Sequence, residues 1–304
     1  MIKLSRLLIL ILQESKIYYH EPVLLKEVLE WLDVKKDKIY VDGTVGLGGH
    51  SSAILEASKP SGILYGFEWN EDSFKLAQER LKKYKERVKL FNKNFIFIKE
   101  TLQKEGILAD GVLLDLGISS FLLEGSKRGF SFQKDEPLDM RINLSINLTA
   151  KDILNTYNFK NLSNVFRKGE VPRANKFAKF ICEKRKKKPF ETTQDLVKAV
   201  KEFYKTSKKE LLAVVFQSLR IEINKELENL ETTLKELPDI LKPSGRIVII
   251  SFHSLEDRLV KTFFKNDSRI KVLTKKPITP SLEEIRKNPR ARSAKMRVGE
   301  RVYE

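Results

Sequence analysis

The chain has 304 residues, 41% hydrophobic and 33% charged, and its 58 Lys and Arg exceed its 41 Asp and Glu to leave a formal charge of +17. A single cysteine, Cys182, excludes an internal disulfide and a thiolate metal cluster, and three scattered histidines (His20, His50, His253) offer no zinc spacing. No metal is expected, and a cytoplasmic location suits the cysteine usage. The charge surplus points to a polyanionic partner, nucleic acid first, because Lys and Arg displace counterions from phosphates; a merely solubilising surplus is an equal alternative.

Lys3 and Arg6 precede a short apolar run at 7–12, which is well below the ~20 residues that span a bilayer. No small-residue cleavage site follows it, so residues 1–19 read as an N-terminal extension and no membrane partner is expected. Pro22 suits a first helical turn, and Val23, Leu24, Val28, Leu29 and Leu32 recur at helical spacing. Strands are expected at 39–42, 62–68, 88–91 and 111–115, with helices from Ser51 and over 72–84. The near-continuous apolar run before Asp115 suits a sheet covered on both faces. Helix alternating with strand is the pattern of an α/β, doubly wound fold.

From Phe121 to Leu211 that rhythm stops, and the segment reads as helices joined by polar turns with a basic stretch from Arg167 to Lys188. A long amphipathic helix follows. Phe216, Leu219, Ile223, Leu227, Leu230, Leu234 and Leu237 fall at steps of three and four, as one stripe packed on the sheet would. Pro243-Ser-Gly245 is expected as a turn ahead of the strand 246–251. The organisation expected is thus an extension (1–19), a core from 20–120 and 212–304, and an inserted helical, RNA-binding domain at 121–211.

The segment Tyr40-Val-Asp-Gly-Thr-Val-Gly-Leu-Gly-Gly-His50 is strand, glycine turn and helix start. Its glycines let backbone approach a ligand, and the amides opening the next helix can bind its polar atoms. Glu68 ends the second strand where an acid receives ribose hydroxyls, and Asp115 ends the fourth. A dinucleotide site wants G-x-G-x-x-G, and Asp42 ahead of the loop would repel a pyrophosphate; it suits the cationic aminoacyl end of S-adenosylmethionine. A nicotinamide-dependent oxidoreductase remains the rival enzyme class, and an RNA-binding assembly factor with a vestigial site the non-enzymatic one.

Eight ordered stretches are more specific. They are His20-Glu-Pro-Val-Leu-Leu-Lys-Glu-Val, Asp42-Gly-Thr-Val-Gly-Leu-Gly-Gly-His-Ser51, Asp115-Leu-Gly-Ile-Ser-Ser120, Arg128-Gly-Phe-Ser-Phe132, Pro137-Leu-Asp-Met-Arg141, Phe216-Gln-Ser-Leu-Arg-Ile221, Ser251-Phe-His-Ser-Leu-Glu-Asp-Arg258 and Asn288-Pro-Arg-Ala-Arg-Ser-Ala-Lys295. From His20 to the C-terminus the chain resembles the bacterial 16S ribosomal RNA cytosine-N4 methyltransferase family. The resemblance implies a class I S-adenosylmethionine-dependent methyltransferase fold with a helical insertion, and methylation of N4 of a decoding-centre cytidine in 16S rRNA of the small ribosomal subunit. Monomer or homodimer stays open. A DNA cytosine-N4 enzyme ordinarily carries Ser/Asp-Pro-Pro-aromatic after its fourth strand, where this chain has Asp115-Leu-Gly-Ile.

Carried over by motif, Gly48, Gly49 and His50 contact the methyl donor, Glu68 stands where the family has Asp, Phe95 matches an aromatic beside the adenine, and Asp115 a pocket acid. The chain departs from the family at Phe121-Leu-Leu-Glu124, where Leu122 replaces a polar cofactor contact, at Glu210-Leu-Leu-Ala-Val-Val215, and at Gly169-Glu-Val171. The amine needs an acceptor that localises its lone pair and takes its proton; Asp115, Ser119 and a backbone carbonyl of residues 116–118 are the candidates. Phe130 or Phe132 could receive an unstacked base. His253 could touch base or phosphate, or be a hydrogen-bonded turn histidine; Asp139 with Arg141 reads as a salt bridge. Phosphate contacts are expected from Arg167, Lys168, Arg173, Lys176, Lys184, Arg185, Lys186, Lys187 and Lys188, and secondarily from Arg290, Arg292, Lys295 and Arg297.

Overall fold

The structure, a computed structural model, describes residues 22–302; the extension expected at 1–19, and His20, lie outside them. Seven strands form one sheet in the order β3-β2-β1-β4-β5-β7-β6. They are β1 (Ile39–Asp42), β2 (Ile63–Phe67), β3 (Val88–Phe91), β4 (Ala109–Asp115), β5 (Leu241–Ser251), β6 (Ile270–Val272) and β7 (Lys295–Arg301). The first five pair in parallel, while β7 runs antiparallel between β5 and β6.

The strand sequences explain the two layers. Successive side chains point to opposite faces, and both sets here are apolar. Tyr40, Leu64, Leu113, Val248 and Ile250 join one core with Val28, Leu32, Ile54, Leu55 and Leu81. Their neighbours Val41, Tyr65, Val112, Leu114, Ile247 and Ile249 join the other with Ile98, Leu102, Leu230, Leu234 and Val260. The doubly wound expectation is met.

Several local expectations change. The first helix among the described residues is Leu25–Trp31, and Leu24 before it is left-handed (φ 55), so Pro22 precedes the helix instead of opening it. Pro243-Ser-Gly245 lies inside β5 as a bulge: pairing jumps from Ala109↔Leu241 to Gly111↔Arg246, and Ser244 takes φ 63. The long amphipathic helix is two, Lys209–Asn224 and Glu226–Glu236, broken at Lys225 with φ 53. Only Leu230, Leu234 and Leu237 of its stripe enter a sheet core. Strands β6 and β7 had no counterpart in the sequence reading, because charged Lys295, Arg297 and Arg301 interleave with Met296 and Val298.

Contacts divide the chain into two compact units, one of the described residues up to Ser119 together with those from Leu227 onward, the other Ser120–Glu226. The second is helical, with helices Ala150–Thr156, Phe159–Lys168, Ala174–Lys187, Thr193–Tyr204 and Lys209–Asn224. Capping boxes Thr149/Asp152 and Thr192/Asp195 start two of these, and its core includes Phe166, Phe177 and Ile181, with the rings of Phe166 and Phe177 4.8 Å apart. Among the described residues no helix is long and apolar enough to cross a membrane.

Candidate functional site

Parallel strands β1, β2 and β4 end side by side, which brings together Asp42, Glu68 and Asp115 from sequence positions far apart. The chain leaves β1 through Gly43, whose Cβ, if present, would lie 2.4 Å from Leu114 Cδ2. It turns at Gly46 (φ +56) and Gly48 (φ +79) and enters the helix Gly49–Ala57. Gly48 is the N-cap and supplies no side-chain cap, so the first amides of this helix, which have no carbonyl of their own helix to bond, are left for an outside acceptor.

Hydrogen bonds hold this loop from within. Thr44 N (3.0 Å) and Ser51 Oγ (2.6 Å) donate to the two oxygens of Asp42. Gly46 N (2.8 Å) and Asn70 N (2.7 Å) donate to those of Glu68, and Asp115 N donates to Thr44 Oγ1 (2.6 Å). Asp42 is 1% exposed, and each of its oxygens accepts one hydrogen bond from the loop, because a short acid at a strand end reaches its own turn. Glu68, one methylene longer than Asp, reaches back to Gly46, and the Trp69 amide also bonds its carboxyl; the acceptor capacity that remains can serve a hydroxyl. Burial pushes its carboxyl up to about 7.

Asp115 has an Oδ1 enclosed by protein without a hydrogen-bond partner. Burial, with Glu256 adding repulsion, pushes its carboxyl up to about 7. An orphaned buried acceptor at the sheet edge is costly unless a ligand engages it. His50 is nearly buried (6% exposed). Its Nε2 lies 3.0 Å from Val23 O, and its Nδ1 3.6 Å from Asp115 Oδ2. A carbonyl can only accept, so Nε2 carries the proton; burial pushes the imidazole's pKa down, against the pull of Asp42, and Nδ1 keeps its lone pair toward Asp115.

Phe95 opens a short 3-10 turn capped by Asn94 and packs half-buried at this edge, its Cβ 3.2 Å from a Cβ built on Gly43. Ser119 Oγ is 3.4 Å from Ser73 Oγ. Past the neighbouring end of β5, Phe252 lies 2.8 Å from a Cβ built on Gly117, which explains the glycine in Asp115-Leu-Gly-Ile. His253 caps the helix Ser254–Asn266: its Nδ1 accepts from Glu256 N at 3.4 Å, and its Nε2 is 3.0 Å from Glu256 Oε1. The cap is what the turn-histidine alternative expects, while Nε2, buried without a hydrogen-bond partner, leaves the contact with base or phosphate open. Glycine amides at a helix start suit a carboxylate, Glu68 a hydroxyl pair, Phe95 a flat apolar ring, and Asp115 a polar hydrogen. Thr44, Ser51 and Val23 were missed because each acts through a hydrogen bond to another loop residue.

In the helical unit, the nine basic candidates occupy two helices, the turn between them and, at Lys188, the C-cap of the second. Lys184 pairs with Glu202 at 2.5 Å and Lys188 with Asp195 at 2.9 Å. Arg185 donates to Leu154 O (2.8 Å), Arg167 to Asn164 Oδ1 (2.8 Å), and Arg173 lies 4.7 Å from the Phe203 ring centre. Lys168, Lys176, Lys186 and Lys187 are exposed. Four of the nine fall in the last turn of Ala174–Lys187, where the helix dipole favours cations. Leu122 is buried within this unit, where its carbonyl accepts from Ser126 Oγ (2.6 Å); burial gives an apolar residue at that position its own packing reason. Phe130 is also buried, and Phe132 packs edge-on against Phe216 at 5.7 Å. Asp139 and Arg141 form the expected bidentate salt bridge, at 2.9 and 2.8 Å. In the other unit, Arg297 is 7% exposed and bound to Asp257 at 2.6 Å, so it is withdrawn from phosphate contact.

Comparison with known proteins places the chain in a family. Residues 17–302 match the model of a family described as the MraW methylase family. The chain is 48% identical over 286 residues to a Dictyoglomus turgidum protein named ribosomal RNA small subunit methyltransferase H, covering 93% of this chain and 97% of that one. Proteins of the same name from Kosmotoga olearia (44% over 293 residues, 93% and 97% covered) and Clostridioides difficile (41% over 312 residues, 94% and 99% covered) are similarly close.

Proposed function

The chain belongs to the MraW methylase family and is a methyltransferase of the class I fold, and from that premise we propose that it carries a methyl group from S-adenosylmethionine to N4 of a decoding-centre cytidine in 16S rRNA. The observation that carries the reading is the convergence of Asp42, Glu68 and Asp115 around a glycine turn, with Asp115 Oδ1 buried and unpaired. The names of the relatives support the small-subunit RNA as acceptor.

The residues present fit the methyl donor. The amides of Gly49 and His50 would take its carboxylate, with Gly48, whose own amide bonds Val45 O, letting the backbone approach; Glu68 would take its ribose and Phe95 its adenine. When bound, the cofactor supplies an electrophilic methyl on a sulfonium. The chain's own work is positioning and proton handling. Asp115, whose ordinary range is lifted to about 7 by burial, can accept a hydrogen bond from the cytosine amine as carboxylate and receive its proton, a role worth about 10²–10⁴-fold. Ser119 is the nearby alternative acceptor. In the helical unit, the exposed Lys168, Lys176, Lys186 and Lys187 would neutralise phosphates without reading sequence.

Mass spectrometry of 16S rRNA nucleosides from cells with and without the gene tests the proposal. Loss of N4-methylated cytidine in the deletion, restored by purified enzyme and S-adenosylmethionine on the deletion strain's small subunits, is expected. An unchanged nucleoside profile overturns the target.

A further inference from the structure

We infer that Glu284 is a positioning residue for the methyl-donor loop, acting through a strap at residues 22–24. Glu284 Oε1 accepts from Leu24 N at 2.7 Å, across 260 residues of sequence. The strap then touches the loop twice. Val23 O takes the Nε2 proton of His50 at 3.0 Å, and Pro22 Cγ lies 2.5 Å from where a Cβ on Gly49 would stand. His50 in turn presents Nδ1 to Asp115, 3.6 Å away. One carboxylate thus sets the backbone that orients both a loop glycine and the ring beside the pocket acid.

The strap does not hold this shape by itself. Leu24 is left-handed at φ 55 and caps its helix without a side-chain bond, a strained conformation for an L-residue because its Cβ crowds the following carbonyl. An outside bond to its amide offsets that strain. Glu284 is placed for it by the helix Leu282–Lys287, where Ser281 Oγ accepts from Glu284 N (3.1 Å). None of that helix's six residues is buried, so it adds little to the core. The bond to Leu24 is what it contributes.

The inference rests on the reading that this loop binds S-adenosylmethionine, and two variants test it. Glu284→Ala removes the acceptor; Glu284→Gln keeps a carbonyl oxygen for Leu24 N while losing the charge. With three histidines in the chain, the ring nitrogens of His50 can be assigned by NMR in the free protein. Wild type and Glu284→Gln should show one Nε2–H form and Glu284→Ala a mixture. By calorimetry, Glu284→Ala should bind S-adenosylmethionine about tenfold more weakly, equivalent to about 1.4 kcal/mol. Its turnover at saturating cofactor should stay within about twofold of wild type, and Glu284→Gln should bind nearly as wild type. An unchanged His50 spectrum in Glu284→Ala overturns the inference, as does equal weakening of both variants with a lowered melting temperature. If wild type itself does not bind S-adenosylmethionine, the cofactor reading fails, while the His50 spectrum still decides whether Glu284 positions the ring.

Discussion

The strand-end edge and the basic helix carry charge in opposite ways. At the edge, Asp42 is buried and Glu68 and Asp115 are half-buried, and hydrogen bonds from backbone and hydroxyl groups hold the first two. Burial lifts Glu68 and Asp115 to about 7. On the helix Ala174–Lys187 the charges are solvated, and Lys184 finds an acid close by. In a poorly solvated pocket each charge is expensive and acts strongly on a ligand; on a wet surface each is inexpensive and acts weakly and collectively. Chemistry should therefore depend steeply on single residues at the edge, and RNA binding only additively on the helix.

The largest effect should come from Asp115→Asn, which keeps the main-chain bond to Thr44 but cannot take a proton. Turnover should fall about 10²-fold or more with the melting temperature preserved; near-normal turnover would remove Asp115 from the mechanism and pass the role to Ser119. Next, Gly49→Ala drives a methyl group to 2.5 Å from Pro22. Cofactor affinity should drop by an order of magnitude or so, equivalent to about 1.4 kcal/mol, as read by calorimetry.

Protonation sharpens the same contrast. Glu68 goes from its ordinary value of 4.5 up to about 7 on folding. The folded state therefore holds a proton that the unfolded chain releases, and the stability this contributes is full below about 4.5 and lost as pH rises to about 7. Urea titrations across that window should show wild type losing stability relative to Glu68→Gln as pH rises. A flat difference would mean that Glu68 titrates as if solvated.

Smaller still, exchanging Lys176, Lys186 and Lys187 for Gln should reduce the slope of log affinity against log salt by at most about 2 for single-stranded RNA, leaving cofactor binding alone. An unchanged slope assigns these lysines to solubility. Lys188→Gln should do least, leaving the melting temperature unchanged within error, because its exposed ion pair is solvated and its partner Asp195 still caps the helix Thr193–Tyr204.

The five parallel strands were legible because apolar runs ending in Asp42, Glu68 and Asp115 repeat at the spacing of a doubly wound sheet. The break at Lys225 was not, since helical periodicity runs on across Phe216 to Leu237 regardless of one left-handed residue. Strand β7 was hidden by Arg297, whose charge reads as surface until Asp257, 40 residues away, is seen to hold it. The basic stretch was legible as composition, but its pairing with Glu202 and Asp195 was not.

The sequence alone determined the five parallel strands, the glycine turn and the family, since these rest on local periodicity and on residues contiguous in the chain. Tertiary structure decided which groups hold the turn and which remain for a ligand. Asp42 took hydrogen bonds from Thr44 and Ser51, Asp115 kept an unpaired oxygen, and Glu284 was brought to Leu24 from 260 residues away. Hydrogen bonding between distant positions leaves no periodic trace in the chain, because it depends on where folding places each group and not on its neighbours in sequence.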